Sequence, residues 1–321
     1  MPSQGACDRR IGVIGSINRD SIHLADGTTV ESWGGLLYSL KFLHDSGIGE
    51  IYPVANVGAD GYETIMEILA RFPRLRTDFV SKVPENNNHC FLYYHNQSHK
   101  CEILKGGVPP ISFSQVKPVL DFDAVLVNFI SGRDVRLDAL EKFRARFNGV
   151  IYMDIHSMTL GRRKVDGGYR RFLRKPPYWK RYAECADILQ INESEFEILT
   201  GVSLMRTGSP GFYRRIPTLK GRATPLVDAG LELFSNVLHR AECLAVTCGQ
   251  RGTYLFYDRK QPKSRKISAV SVTRVYDTTG CGDAFGAGFL AEYLKSGSYI
   301  KAGKYANAVA ASRCKIRGKV F

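Results

Sequence analysis

The stretch from Tyr276 to Leu290 reads YDTTGCGDAFGAGFL, and it constrains the fold of the chain more than any other. Residues from Val272 to Tyr276 alternate in a way that predicts a short strand, and an apolar, helix-like segment follows the small residues. A helix that begins after a glycine turn leaves its first backbone N–H groups unpaired, and its dipole favours a negative charge there. The stretch therefore predicts an anion-binding turn.

One carboxylate lies inside this turn. Asp283 follows Gly280, Cys281 and Gly282, and the two glycines let the backbone approach a ligand without a Cβ in the way. An acidic residue in the first turn of a helix is also common for structural reasons alone. Beside a bound phosphate, however, the carboxylate could take the proton of an attacking hydroxyl, as phosphoryl transfer requires.

Short buried strand patterns alternate with helical patterns along much of the chain. Strand–helix units of this length imply right-handed crossovers and a mostly parallel sheet, with ligands at the carboxyl ends of the strands. The hydrophobic fraction of 44% in 321 residues suffices for one large α/β domain or two ordinary ones. The main strands are expected at 10–16, 51–56, 124–128, 150–154, 187–191 and 243–247.

The sequence contains no run of apolar residues long enough for a transmembrane helix, and its first residues lack the apolar segment of a signal peptide. We therefore expect a cytoplasmic protein with no membrane contact. No two of the eight cysteines have a C-x-x-C spacing, so free thiols are expected rather than disulfides or a zinc site.

The formal net charge is +14, and the basic residues concentrate at 161–181 and 206–222. Such clusters suggest either a solvated basic surface or attraction of anionic ligands or of an acidic partner. No zinc-finger spacing, aromatic RNA-binding signature or heptad array accompanies the charge. The sequence therefore argues against a nucleic-acid partner.

The string DTTGCGDAFGAG closely resembles the D-T-x-G-A-G-D signature of the ribokinase-like carbohydrate and nucleoside kinases, and Cys281 stands where the family usually has Ala. Further resemblances extend over nearly the full length, with interruptions at 161–181 and 201–225. They are GSINRD at 15–20, the glycine pair at 34–35, N-x-x-E at 192–195 and T-x-G-x-x-G at 247–252.

The resemblance implies a single domain over residues 1–321. Its fold would be α/β, a ribokinase-like doubly wound, mostly parallel sheet with helices on both faces. A small β lid over the substrate would come from about 18–33 and 88–106, and through the edge of this lid a second copy of the chain could pair.

The resemblance also implies a reaction: transfer of the γ-phosphoryl group of ATP to an alcohol group of a sugar or sugar-like substrate. Asp283 would be the general base, and the backbone at Gly280, Cys281 and Gly282 would form the anion hole. Asp277 would organise the loop or supply a counter-charge.

Other roles follow residue by residue from the matching motifs. The acceptor would be bound by Asn18, Asp20, Gly34, Gly35 and Ser39. Asn192 and Glu195 would hold Mg²⁺, which prefers oxygen ligands and keeps several waters. An acidic helix start would explain the motif alone equally well, but its position after a strand favours the metal role. The nucleotide would lie along Thr247, Gly249, Gly252 and Asn307. His156 replaces the Asn of an Asp-x-Asn motif, and we interpret it as a loop histidine without a catalytic task.

Two departures from the ribokinase pattern leave the identity of the acceptor substrate undecided. Ribokinases carry Lys directly after the glycine pair, where this chain has Leu36, and Ser39 stands where the family often has Asn. A nucleoside kinase and a phosphosugar kinase are the enzymatic alternatives. The alternative of another class is a non-catalytic binding or regulatory protein that uses its basic surface.

Overall fold

The computed structural model describes residues 9–24, 26–96, 99–202 and 226–316. The basic cluster at 206–222 lies outside the described residues. Within these ranges no helix has the length and apolarity needed to span a membrane.

The described residues form two sheets, and the larger one, the core sheet, has nine strands. Seven neighbouring strands are parallel, and the last two add an antiparallel edge. In spatial order they are β15 (Lys263–Ile267), β14 (Thr253–Tyr257), β13 (Cys243–Thr247), β12 (Ile188–Asn192), β9 (Val150–Asp154), β8 (Ala124–Asn128), β1 (Arg10–Ile14), β4 (Glu50–Gly58) and β5 (Val80–Val83).

Helices cover both faces of the core sheet, which confirms the predicted α/β class. The central strands are apolar throughout because both of their faces are buried; every residue of β8 is buried. Two separate apolar clusters lie on the two faces. One face carries α1 (Leu36–Asp45), α2 (Tyr62–Leu69), α8 (Cys281–Ser296) and α9 (Tyr299–Arg313). The other carries α3 (Phe113–Val116), α4 (Leu137–Arg144), α5 (Trp179–Ala183), α6 (Glu193–Thr200) and α7 (Leu226–Asn236).

The smaller sheet, the lid sheet, has six strands. Four of them fall in the ranges expected for a lid. The hairpin at 160–173 joins them at one edge, in the stretch where the sequence interrupts the strand–helix pattern. In spatial order the strands are β10 (Leu160–Val165), β11 (Gly168–Leu173), β7 (His99–Lys105), β6 (His89–Asn96), β2 (Ile17–His23) and β3 (Thr29–Gly35).

The sequence of this hairpin contains a turn motif, which its many basic residues obscure. Asp166-Gly167 is a typical two-residue turn, and Gly167 has the positive φ (68°) that such turns require. Arginines fill both faces of its strands, which hides the alternation of apolar and polar residues. Arg171 is nevertheless buried, because its guanidinium donates to the Ser157 carbonyl (3.0 Å) and lies 3.7 Å from Glu102 on the neighbouring strand.

The side chain of Asn87 joins the lid sheet to the core sheet. Its Oδ1 accepts from the Gly58 amide at the end of β4 (3.1 Å), and its Nδ2 donates to the Ile17 carbonyl at the start of β2 (3.0 Å). Asn87 is buried, so water cannot replace these bonds.

We expect Asn87→Ala to lower the free energy of unfolding by about 2–4 kcal/mol, because it leaves a buried amide and a buried carbonyl unpaired. Urea denaturation followed by circular dichroism measures the change. Asn86→Ala is the matched control, since that side chain is exposed. An equal loss in both variants would contradict the assignment.

Candidate active site

A cavity of about 570 Å³ lies at the carboxyl ends of the parallel strands, beneath the lid sheet. This is where ligands bind in doubly wound sheets. Its wall combines the anion-binding turn, the ends of β9, β12 and β13, and lid residues from β2, β6, β7, β10 and β11.

The anion-binding turn starts α8, as predicted. Gly280 has φ 79°, and a Cβ there would lie 2.6 Å from the Tyr38 ring, so the position requires glycine. Gly280 and Gly282 line the cavity. The Cys281 amide donates to the Thr278 carbonyl (3.2 Å), so it is used within the turn. The amides of the two glycines are therefore the better anion donors.

The strand expected before this turn does not form. Residues 268–278 have no regular structure, and the Tyr276 amide donates instead to the Cys314 carbonyl at the end of α9 (2.9 Å). Asp277 accepts from the Thr279 amide (2.8 Å) and pairs with the fully buried Arg313 (2.7 Å). The loop is thus organised by helix α9 rather than by a sheet.

Asp283 is buried and faces the cavity. Its Oδ1 accepts from Asn128 Nδ2 (2.5 Å), which also lies 3.3 Å from Ser39 Oγ. Burial raises the pKa of Asp283, and the nearby His156 and the Asn128 hydrogen bond partly counteract this rise. Ser39, predicted to contact the acceptor, lies behind Asp283 and reaches it only through Asn128.

Three of the predicted acceptor residues, Asn18, Asp20 and Gly35, line the cavity. Asn18 Oδ1 is buried and has no hydrogen-bond partner among the described residues, as expected of an atom that accepts from a ligand hydroxyl. Gly34 has a different role: a Cβ there would lie 2.1 Å from Asp20 Oδ2, so the glycine makes room for that carboxylate.

Asn192 and Glu195 line the cavity at the start of α6, where they also bind each other. Asn192 Oδ1 accepts from the Glu195 amide (2.9 Å), and Glu195 Oε2 accepts from the Asn192 amide (2.7 Å). This reciprocal pair is a capping box. The described residues contain no group of three or more His, Cys, Asp or Glu side chains that could hold a metal ion by themselves. The side-chain oxygens of Asn192 and Glu195 at the cavity wall nevertheless fit a largely hydrated Mg²⁺.

His156, interpreted from the sequence as a loop histidine without a catalytic task, lines the cavity. Its φ of 34° is unusual for a residue with a side chain, and its amide donates to Asp154 Oδ1 (3.1 Å). The side chain of His156 is 46% exposed. Its partial desolvation by itself lowers the pKa of His156, but Glu195, Asp154 and Asp283 together raise it to about 9. The family's Asp-x-Asn motif at this position was the sequence signal that residue 156 lies at the site.

Gln190 was missed altogether because nothing in its sequence context marks it. It lies in the middle of β12, where its Nε2 donates to Asp154 Oδ2 (2.9 Å) and to the Gly282 carbonyl (3.1 Å). Gln190 therefore ties the end of β9 to the anion-binding turn.

The predicted nucleotide residues divide into two groups. Thr247 and Gly249 line the cavity. Gly252 closes the turn behind them at φ 86°. Asn307 is buried away from the described lining: its Oδ1 accepts from Thr253 Oγ1 (2.8 Å), and its Nδ2 donates to the carbonyls of Ile267 (3.2 Å) and Ser268 (3.0 Å). The side chain of Asn307 thus ties α9 to the edge of the core sheet.

One family model matches the second half of the chain. Residues 163–319 match the model described as pfkB family carbohydrate kinase. This part of the chain is therefore similar to the pfkB family carbohydrate kinases. The N-terminal motifs lie outside the matched range, but structural similarity extends over them.

Solved structures of ribokinase-family proteins share the fold over almost the whole chain. A pyrophosphate-dependent kinase in the ribokinase family superposes with a TM-score of 0.75 at 17% identity, covering 97% of both chains. A ribokinase from Thermotoga maritima gives 0.68 at 17% identity, covering 97% of this chain and 94% of the other. At such identities the likeness shows the fold alone.

Curated relatives match over shorter segments. A protein described as an uncharacterized sugar kinase from Archaeoglobus fulgidus is 43% identical over 70 residues, or 22% of this chain and 26% of the relative. A nucleoside kinase from Methanocaldococcus jannaschii is 32% identical over 97 residues, 30% of each chain. A ribokinase from Haemophilus influenzae is 31% identical over 125 residues, or 39% of this chain. The chain thus spans at most 33% of the length of these curated relatives.

We expect Asn307→Ala to lower the free energy of unfolding by about 1–3 kcal/mol, because two buried carbonyls lose their donor. The affinity for ATP, measured by titration calorimetry, should not change. Lys304→Ala, an exposed position on the same helix, is the control. A loss of ATP affinity at unchanged stability would instead place Asn307 in the nucleotide site.

Proposed function

We propose that the protein transfers the γ-phosphoryl group of ATP to a hydroxyl group of an uncharged sugar or sugar-like substrate. The observation that carries the proposal is the position of Asp283: a buried carboxylate in the first turn of α8, beside the anion-binding turn and in one cavity with Asn18 and Asp20.

Asp283 is the proposed base. Asn128 holds its Oδ1, which leaves Oδ2 to accept the proton of the acceptor hydroxyl as that hydroxyl attacks phosphorus. The proton transfer is late in a loose transition state, so position matters more than basicity. The buried surroundings and the raised pKa of Asp283 both favour acceptance of the proton.

The anion-binding turn would stabilise the transferring group. The amides of Gly280 and Gly282 and the dipole of α8 favour the negative charge that develops on the phosphoryl oxygens. Mg²⁺, held through water by Asn192 and Glu195, would offset the charge of the nucleotide phosphates. His156 adds a positive charge on the same side of the cavity.

The charge of the cavity favours a neutral acceptor. Its wall contains six carboxylates, and His156 is the one basic side chain among the described residues that line it. An additional phosphate on the acceptor would meet repulsion without a compensating Lys or Arg. The carboxylates are Asp20, Glu102, Asp154, Glu193, Glu195 and Asp283.

A nucleoside is the second candidate acceptor. The wall of the cavity includes aliphatic side chains from the lid strands, Leu92, Leu160 and Leu173, and also Ile130. A nucleobase could pack against this surface while its ribose binds Asn18 and Asp20. A simple sugar has no comparable apolar part.

A panel of sugars, polyols, phosphosugars and nucleosides, assayed with ATP and Mg²⁺ for ADP release, tests the proposal. We expect turnover with a neutral sugar or a nucleoside and none with phosphosugars. Asp283→Asn should bind ATP and lose turnover on the order of 10²-fold or more. Asn86→Ala should retain full turnover. Turnover of Asp283→Asn within about tenfold of the wild type would refute the base assignment.

The pH dependence offers an independent test of Asp283. Only the ionised carboxylate can accept a proton, so kcat/KM should fall as the pH decreases through the raised pKa of Asp283. Asn128→Ala removes a hydrogen bond to the ionised form and should move this acid limb to higher pH. Rate profiles over roughly pH 5 to 9 reveal the shift, and a limb at the same pH in both proteins would count against Asp283.

A further inference from the structure

The thiols of Cys281 and Cys314 lie in contact although 33 residues separate them in the sequence. Their Sγ atoms are 3.2 Å apart, and Cys281 Sγ also lies 3.6 Å from the Ala310 carbonyl. Cys281 is the first residue of α8, and Cys314 follows the last residue of α9. Both side chains are partly exposed, so small molecules can reach them.

The thiol pair belongs to a set of contacts that holds the end of α9 against the anion-binding turn. The Tyr276 amide donates to the Cys314 carbonyl, and Arg313 pairs with Asp277. Asp277 in turn accepts from the Thr279 amide. Because these contacts join the two segments, we expect a shift of Cys281 relative to Cys314 to move the turn as well.

We propose that Cys281 and Cys314 are a covalent modification site, where a reversible disulfide forms and disables the anion-binding turn. The effect on turnover rests on the proposed function, but the formation of the disulfide does not.

A small-molecule disulfide of the glutathione class is the oxidant. The Cys314 thiolate attacks one sulfur of the reagent, which forms a mixed disulfide and releases one thiol. The Cys281 thiol then loses its proton to solvent and displaces the second reagent thiol from Cys314. The two protein thiols are oxidised by two electrons in total, and the reagent is reduced to two thiols.

Cys281 acts second because its own thiol is hard to ionise. Burial and the hydrogen bond with Cys314 raise the pKa of the Cys281 thiol. A thiol that stays protonated attacks slowly, but it can displace a leaving group that is already held beside it.

The disulfide between Cys281 and Cys314 would displace the anion-binding turn far enough to affect catalysis. Sulfur atoms in a disulfide lie about 2.05 Å apart, so the two Sγ atoms must approach each other by on the order of 1 Å. Gly280 and Gly282 flank Cys281 and move with it. A misplacement of about 1 Å in a reacting geometry can lower the rate on the order of 10²-fold.

The test treats the full chain with oxidised glutathione and maps its peptides by mass spectrometry without reduction. We expect a peptide pair linked through Cys281 and Cys314, turnover lowered on the order of 10- to 100-fold, and recovery with dithiothreitol. Cys314→Ser should keep the basal turnover and become insensitive to the oxidant. Cys101→Ser, a partly exposed cysteine of the lid sheet, is the matched control and should stay sensitive.

Each result decides one part of the proposal. Failure to find the linked peptides overturns the modification site. A linked protein with undiminished turnover overturns its effect on the turn, as does equal inhibition of Cys314→Ser. If no acceptor is phosphorylated at all, the proposed function fails while the linked peptides still establish the disulfide. Hydrogen exchange of residues 276–290 before and after oxidation then shows whether the turn is altered.

Discussion

The hydrogen bond between Asn128 and Asp283 is the interaction on which the site depends. A buried carboxylate is costly to ionise, and a protonated one cannot act as a base. Asn128 supplies a donor from the end of β8, the first turn of α8 supplies the positive end of a helix dipole, and His156 supplies charge from the end of β9. Three separate segments thus stabilise the ionised carboxylate of Asp283.

Charge is segregated in this molecule. The chain has a net charge of +14, yet carboxylates outnumber basic groups in the described wall of the cavity. The exposed arginines of the β10–β11 hairpin lie outside the cavity, and Arg171 is held by Glu102 and a backbone carbonyl. Overall charge is therefore a poor guide to the ligand, because solvent screens the surface while the buried wall acts at short range.

Some of this site could be predicted from the sequence, because glycine-rich turns and their neighbouring carboxylates are local patterns. Asp283, Asn18, Asp20, Thr247 and Gly249 all meet in one cavity. The assignments that differ depend on packing. Asn307 forms hydrogen bonds to the edge of the core sheet, Ser39 contacts Asn128, and the Arg-rich strands extend the lid sheet. In each case the contact is made with residues distant in the sequence.

The sequence by itself determined the α/β class and the anion-binding turn, because hydrophobic periodicity and glycine placement act within a few residues. Only the tertiary structure decided what surrounds Asp283. It brought Asn128, His156 and Gln190 to one end of the sheet, and it brought Cys281 against Cys314. Those contacts join residues far apart in the chain, so they arise only when the parallel strands and the helices that cover them have packed.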